Sequence, residues 1–118
     1  MNILFILNDP PYGTERSYNG LRMAKALLAN EANTDAHVTV FLLADAVNCA
    51  KAGQKVPQGF YNLELMLKSV IRAGEVLLCG TCMDARALKD EELIEGSKRS
   101  TMKELADRTL QADKVLVF

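Results

Sequence analysis

The sequence predicts a three-layer α/β/α sandwich built on a mostly parallel sheet of four to five strands. Two observations carry that reading. Four short apolar runs stand out, Ile3–Leu7, Val38–Leu43, Val76–Cys79 and Val115–Phe118, and none alternates cleanly between polar and apolar residues. Continuous runs suit strands buried on both faces, as in a parallel sheet covered by helices. Helical patterns lie between the runs, and strand–helix alternation implies right-handed crossovers.

The first run, Ile3–Leu7, is stopped abruptly by Asn8-Asp9-Pro10-Pro11. It has no basic residue before it and no small-residue cleavage site soon after, so it is read as a strand rather than a signal-peptide core. From Ser17 to Ala29, Leu21, Ala24, Leu27 and Leu28 recur at helical spacing. A short helix is expected over Asp45 to Ala50. Lys51 to Phe60, with Gly53, Pro57 and Gly59, reads as a mobile loop. From Asn62 to Ala73, Leu63, Met66, Leu67, Val70 and Ile71 share one face, with Asn62 as N-cap and Gly74 as stop. The last helix is expected over Met102 to Ala112, with Thr101 and Glu104 as a capping box and Leu105 and Leu110 pointing inward. Ala85 to Ser100 holds Leu88, Leu93 and Ile94 among charges, and reads as helical turns or a short extra strand. The apolar end, Val115–Phe118, is expected to be tied into the sheet. No repeat or boundary divides residues 1–118, which read as a single domain.

Composition narrows the function. The chain is 49% hydrophobic and 25% charged, with net charge −1. Nucleic-acid binding would need a basic face, and an anionic membrane would need a Lys/Arg cluster. Neither is present, so neither partner is expected. No apolar run approaches the ~20 residues that span a bilayer. With the first run read as a strand and not an export signal, the three cysteines are expected in a reducing cytoplasm, where a structural disulfide is disfavoured. Structural zinc needs four ligands; the chain offers one CxxC and one histidine, His37, at the start of a strand and so at the opposite sheet edge. No metal and no cofactor is expected.

The chemistry points to Cys79-Gly80-Thr81-Cys82. Cys79 ends an apolar strand, and a helix is expected to start near Thr81 or Cys82. Free N–H groups there favour thiolate, the reactive form. Gly80, Thr81 and Arg86, one turn beyond Cys82, are the expected thiolate-stabilising neighbours. Cys49, on a short helix with no charged motif, reads as apolar filler.

In open parallel sheets, ligands bind beyond the carboxyl ends of the strands. The loop Asn8–Arg16 reaches that edge, and Pro11, Tyr12, Gly13 and Thr14 are its candidate pocket residues. They would face the cysteines if the first and third strands were neighbours. The loop lacks G-x-G-x-x-G and G-x-x-x-x-G-K-[ST], so no nucleotide site is expected. Asp84, Asp90, Glu91 and Glu92 read as a solvated helical face.

Three segments resemble the DsrE/DsrF-like family of small sulfur-handling proteins, which includes sulfur-relay subunits of tRNA thiolation and of bacterial sulfur oxidation. They are Ile3–Leu7 with Pro11-Tyr12-Gly13-Thr14 and Ala24-Lys25-Ala26-Leu27, then Cys79 through Arg86, then Leu105 through Phe118. The resemblance implies that Cys79 corresponds to the family's sulfur-accepting cysteine. Cys82 is not general in the family, and Ala87 stands where glycine is usual. It also implies sulfur donor and acceptor proteins as partners, and a homotrimer or homohexamer. The leading expectation is a carrier, possible sulfurtransferase activity included, that holds sulfane sulfur as a persulfide on Cys79, assisted by Cys82. A CxxC dithiol redox protein and a non-catalytic oligomeric small-ligand module are the alternatives.

Overall fold

A computed structural model describes residues 1–32 and 35–118. Strands β1 (Asn2–Leu7), β2 (His37–Leu42), β3 (Glu75–Cys79), β4 (Lys98–Ser100) and β5 (Lys114–Val117) form one sheet in the order β4-β3-β2-β1-β5. Every pairing is parallel. The helices are α1 (Arg16–Leu28), α2 (Leu63–Ala73), α3 (Gly80–Ala85) and α4 (Met102–Gln111), with 3-10 segments at Ala44–Ala50 and Asp90–Glu92. The unassigned stretch before Ser100 thus holds both a helical turn and a short edge strand.

Strand alternation sorts the core into two layers. Ile3, Phe5, Leu7, Val40, Leu42, Val76 and Leu78 pack on Leu21 and Ala24 of α1 and on Leu63, Leu67 and Val70 of α2. Leu4, Phe41, Leu77 and Cys79 face the other way, where Leu105 of α4 covers them. Asn62 caps α2 as its pattern predicts, its side chain accepting from the Leu65 N–H at 3.2 Å. Gly74 ends that helix with its N–H on the Val70 carbonyl.

Four expectations need correction. The first and third strands are not neighbours, because β2 lies between them. Leu110 points outward and is 87% exposed. It follows Leu105 by five residues, which rotates it about 140° around a helix of 3.6 residues per turn. The box at α4 is half made: Thr101 Oγ1 accepts from the Glu104 N–H at 3.1 Å, whereas the Glu104 carboxylate takes the Ser100 hydroxyl. Asp84 and Asp90 are not a plain solvated face, since both grip Arg99.

Arg108 pins α4 to the sheet. It donates to both Glu75 oxygens at 2.6 and 3.0 Å and to Thr39 Oγ1 at 3.2 Å. No described helix is long and apolar enough to cross a membrane.

Candidate functional site

The apolar strand β3 delivers Cys79 to the carboxyl edge of the sheet, beside Ser100 of β4. There Cys79 becomes the N-cap of α3, its Sγ accepting from the Cys82 N–H at 3.4 Å. The helix begins at Gly80, one residue before the expected start. All three cysteines are free thiols.

The two thiols of the pair sit in different surroundings. Cys79 is buried, 5% exposed, among Leu4, Phe41, Leu77 and Leu105. Burial raises its pKa, the neighbouring Cys82 thiol raises it further, and the Cys82 and Thr81 backbone N–H groups oppose both. The acidified Cys79 expected from a helix start is therefore reversed by desolvation, which penalises the charged form. Cys82 is half-buried. Its Sγ accepts from the Ala44 N–H at 3.2 Å. Ala44 holds φ at 50°, a left-handed conformation that alanine rarely adopts, and it aims its N–H at the sulfur.

Arg86 belongs to the Cys82 side. It donates to the Cys82 carbonyl at 3.1 Å and to Asp45 at 2.8 Å, joining α3 to the segment after β2. Ala87 follows at φ 53°, where glycine is favoured on steric grounds.

Pro11, Tyr12, Gly13 and Thr14 are organised elsewhere. Tyr12 donates to Gln54 at 2.6 Å and accepts from the Leu63 N–H at 3.2 Å. Thr14 bonds Asp9, and Gly13 takes φ 100°. These bonds tie the loop after β1 to the irregular 51–62 segment, while the loop after β2 supplies the group that touches Cys82. Cys49 is fully buried, and burial pushes its thiol up to about 12. A cavity of about 410 Å³ lies at the opposite strand ends, lined in part by His37, Thr39, Glu75 and Arg108.

A family model described as the DsrE/DsrF-like family matches residues 1–118. This chain belongs to the DsrE/DsrF-like family. Membership points to sulfur relay at the level of the family. Protein YchN of Escherichia coli K12 is 43% identical over 117 residues, covering 98% of this chain and 97% of that one. The uncharacterized protein MJ0989 of Methanocaldococcus jannaschii is 39% identical over 119 residues, covering all of both chains. The crystal structure of the E. coli ychN protein superposes with a TM-score of 0.92 at 41% identity, covering 99% of this chain and 98% of that one. MTH1491 of Methanobacterium thermoautotrophicum, a protein of unknown function, shares the fold at a TM-score of 0.74 and 12% identity, over 99% and 98% of the two chains.

In this DsrE/DsrF-like chain, sequence reasoning missed two residues of the site. Ala44 carries no side-chain signal of its backbone role. Arg99 bonds the Gly80 carbonyl at 3.2 Å, Asp84 at 3.0 Å and Asp90 at 2.8 Å, buttressing the turn between the cysteines. A Cβ on Gly80 would lie 2.8 Å from the Arg99 guanidinium and 3.2 Å from the Ser100 carbonyl oxygen. Glycine is what lets that guanidinium lie over the turn.

Proposed function

We propose that this protein is a sulfur carrier that holds sulfane sulfur as a persulfide on Cys79, assisted by Cys82. The observation that carries the reading is the pair itself. Two free thiols share one turn at the carboxyl edge of the sheet, one sealed in aliphatic surroundings and one half-open to water. A persulfide on Cys79 would be shielded from stray thiols. Membership of the DsrE/DsrF-like family supports sulfur chemistry over other thiol chemistry. Sulfur donor and acceptor proteins are the partners this reading requires. Self-association as a homotrimer or homohexamer belongs to the same proposal, and the exposed Val115 and Val117 are consistent with it.

The test is to incubate the reduced protein with glutathione persulfide and record the intact mass. The expected result is a gain of one sulfur atom, removed by dithiothreitol and absent from the Cys79→Ser, Cys82→Ser double variant. An unchanged mass would refute the carrier. Native mass spectrometry of the same sample reads the oligomer.

The close approach of the two thiols also favours a second reading, a dithiol redox protein. A reduction potential of roughly −270 mV or lower would support it.

A further inference from the structure

We infer that sulfur is received by Cys82 rather than by Cys79, and that Cys79 takes it in a second, internal transfer. This inference rests on the carrier reading above and assigns the order of its two thiols.

Access comes first. A donor persulfide must bring its outer sulfur into line with the attacking thiolate. Cys79 is 5% exposed and packs with Leu4, Phe41, Leu77 and Leu105, so little of it is open to a donor. Cys82 lies one turn further out and is half-buried. Hydrogen bonding points the same way. Cys82 Sγ receives the Ala44 N–H at 3.2 Å, from a backbone held in a conformation alanine disfavours. Such strain persists only where the surroundings enforce it, and it clusters at functional sites. The Arg86 guanidinium, bound to the Cys82 carbonyl and to Asp45, holds the turn that carries Cys82 against the segment after β2. Burial disfavours the Cys79 thiolate.

The chemistry balances without an oxidant or a reductant. Cys82 thiolate attacks the sulfane sulfur of the donor persulfide. A bond forms between Cys82 Sγ and that sulfur, the donor's own S–S bond breaks, and the donor leaves as a thiolate that takes a proton from water. Cys79 then attacks the same sulfane sulfur. Its proton passes to Cys82, which departs as a thiol, and the persulfide rests on Cys79. The oxidation state of the transferred sulfur is unchanged throughout.

Single variants separate the roles, again with glutathione persulfide and with peptide mapping after alkylation. Cys79→Ser is expected to load, with the extra sulfur on Cys82, and Cys82→Ser is expected to lose loading. Since Cys79 fills core and caps α3, the unmutated protein supplies a parallel readout. Limiting iodoacetamide at neutral pH should label Cys82 before Cys79. Loading of Cys82→Ser at the wild-type rate, or first labelling at Cys79, overturns the order while leaving the carrier intact. A wild-type protein that gains no sulfur overturns both.

Discussion

Among the described residues, one face of the sheet is closed by α1, α2 and the 3-10 segment after β2, whereas α4 is the helix that covers the other. The contrast is visible residue by residue. On the closed face Phe5, Leu21, Leu67, Val70 and Leu78 have no exposure at all. On the thin face Leu105 is the only α4 residue in the buried cluster, and Val117 at the margin stays 64% exposed. The thick layer supplies most of the apolar burial that stabilises the fold. The thin layer is where Cys79 reaches the sheet edge, packed with Leu105 of α4. Most of the apolar packing and the Cys79 side chain thus lie on opposite sides of one sheet.

Mutations sharpen or break this division. Leu67→Ala, in the thick layer, should destabilise by about 3–4 kcal/mol, within the range for cavities that cannot collapse. Leu105→Ala, under a thinner cover that relaxes more readily, should lie near the low end, about 2 kcal/mol. Urea midpoints of the two variants give the comparison, and an equal or larger loss for Leu105→Ala would remove it.

Arg108→Ala tests whether α4 is held by its ion pair as well as by Leu105. The guanidinium holds the Glu75 carboxyl below its usual range. A lowered folded value means that the pair stabilises at pH above the unfolded Glu value, about 4.3, and that this contribution fades as pH falls through the folded value. Both partners are part-exposed, so the loss at neutral pH should be about 1 kcal/mol. The gap between variant and wild type should narrow as pH falls through the lowered Glu75 value and close once that carboxyl is protonated. A gap independent of pH would assign the effect to lost packing. Smallest of all, Lys103→Ala breaks only the exposed pair with Asp107 and should change stability by about 0.5 kcal/mol or less.

Much of this was legible in the residues, and the gaps have physical causes. Apolar runs located four strands because strands buried on both faces cannot hide polar residues. Asn62 and Thr101 announced their helices because caps are local chemistry. Cys79 was placed at a strand end by the run before it. Strand neighbours were not legible, since parallel pairing depends on where each helix lands and not on the strand's own letters. The assumption that β1 adjoins β3 failed on that point and misdirected the loop after β1. The three residues of β4 are too few to show a period. Thiol acidity was misjudged because proximity to N–H groups can be read from order along the chain, whereas desolvation depends on what folds over the sulfur.

The sulfur of Cys79 is also the acceptor for the Cys82 N–H in the first turn of α3. On the proposed carrier reading, a second sulfur on that atom would compete with the bond that holds the turn, and its removal would restore the bond. A docking protein that senses the backbone around Thr81 would meet two differently shaped rims, so cargo status would be written on the surface without any distant rearrangement.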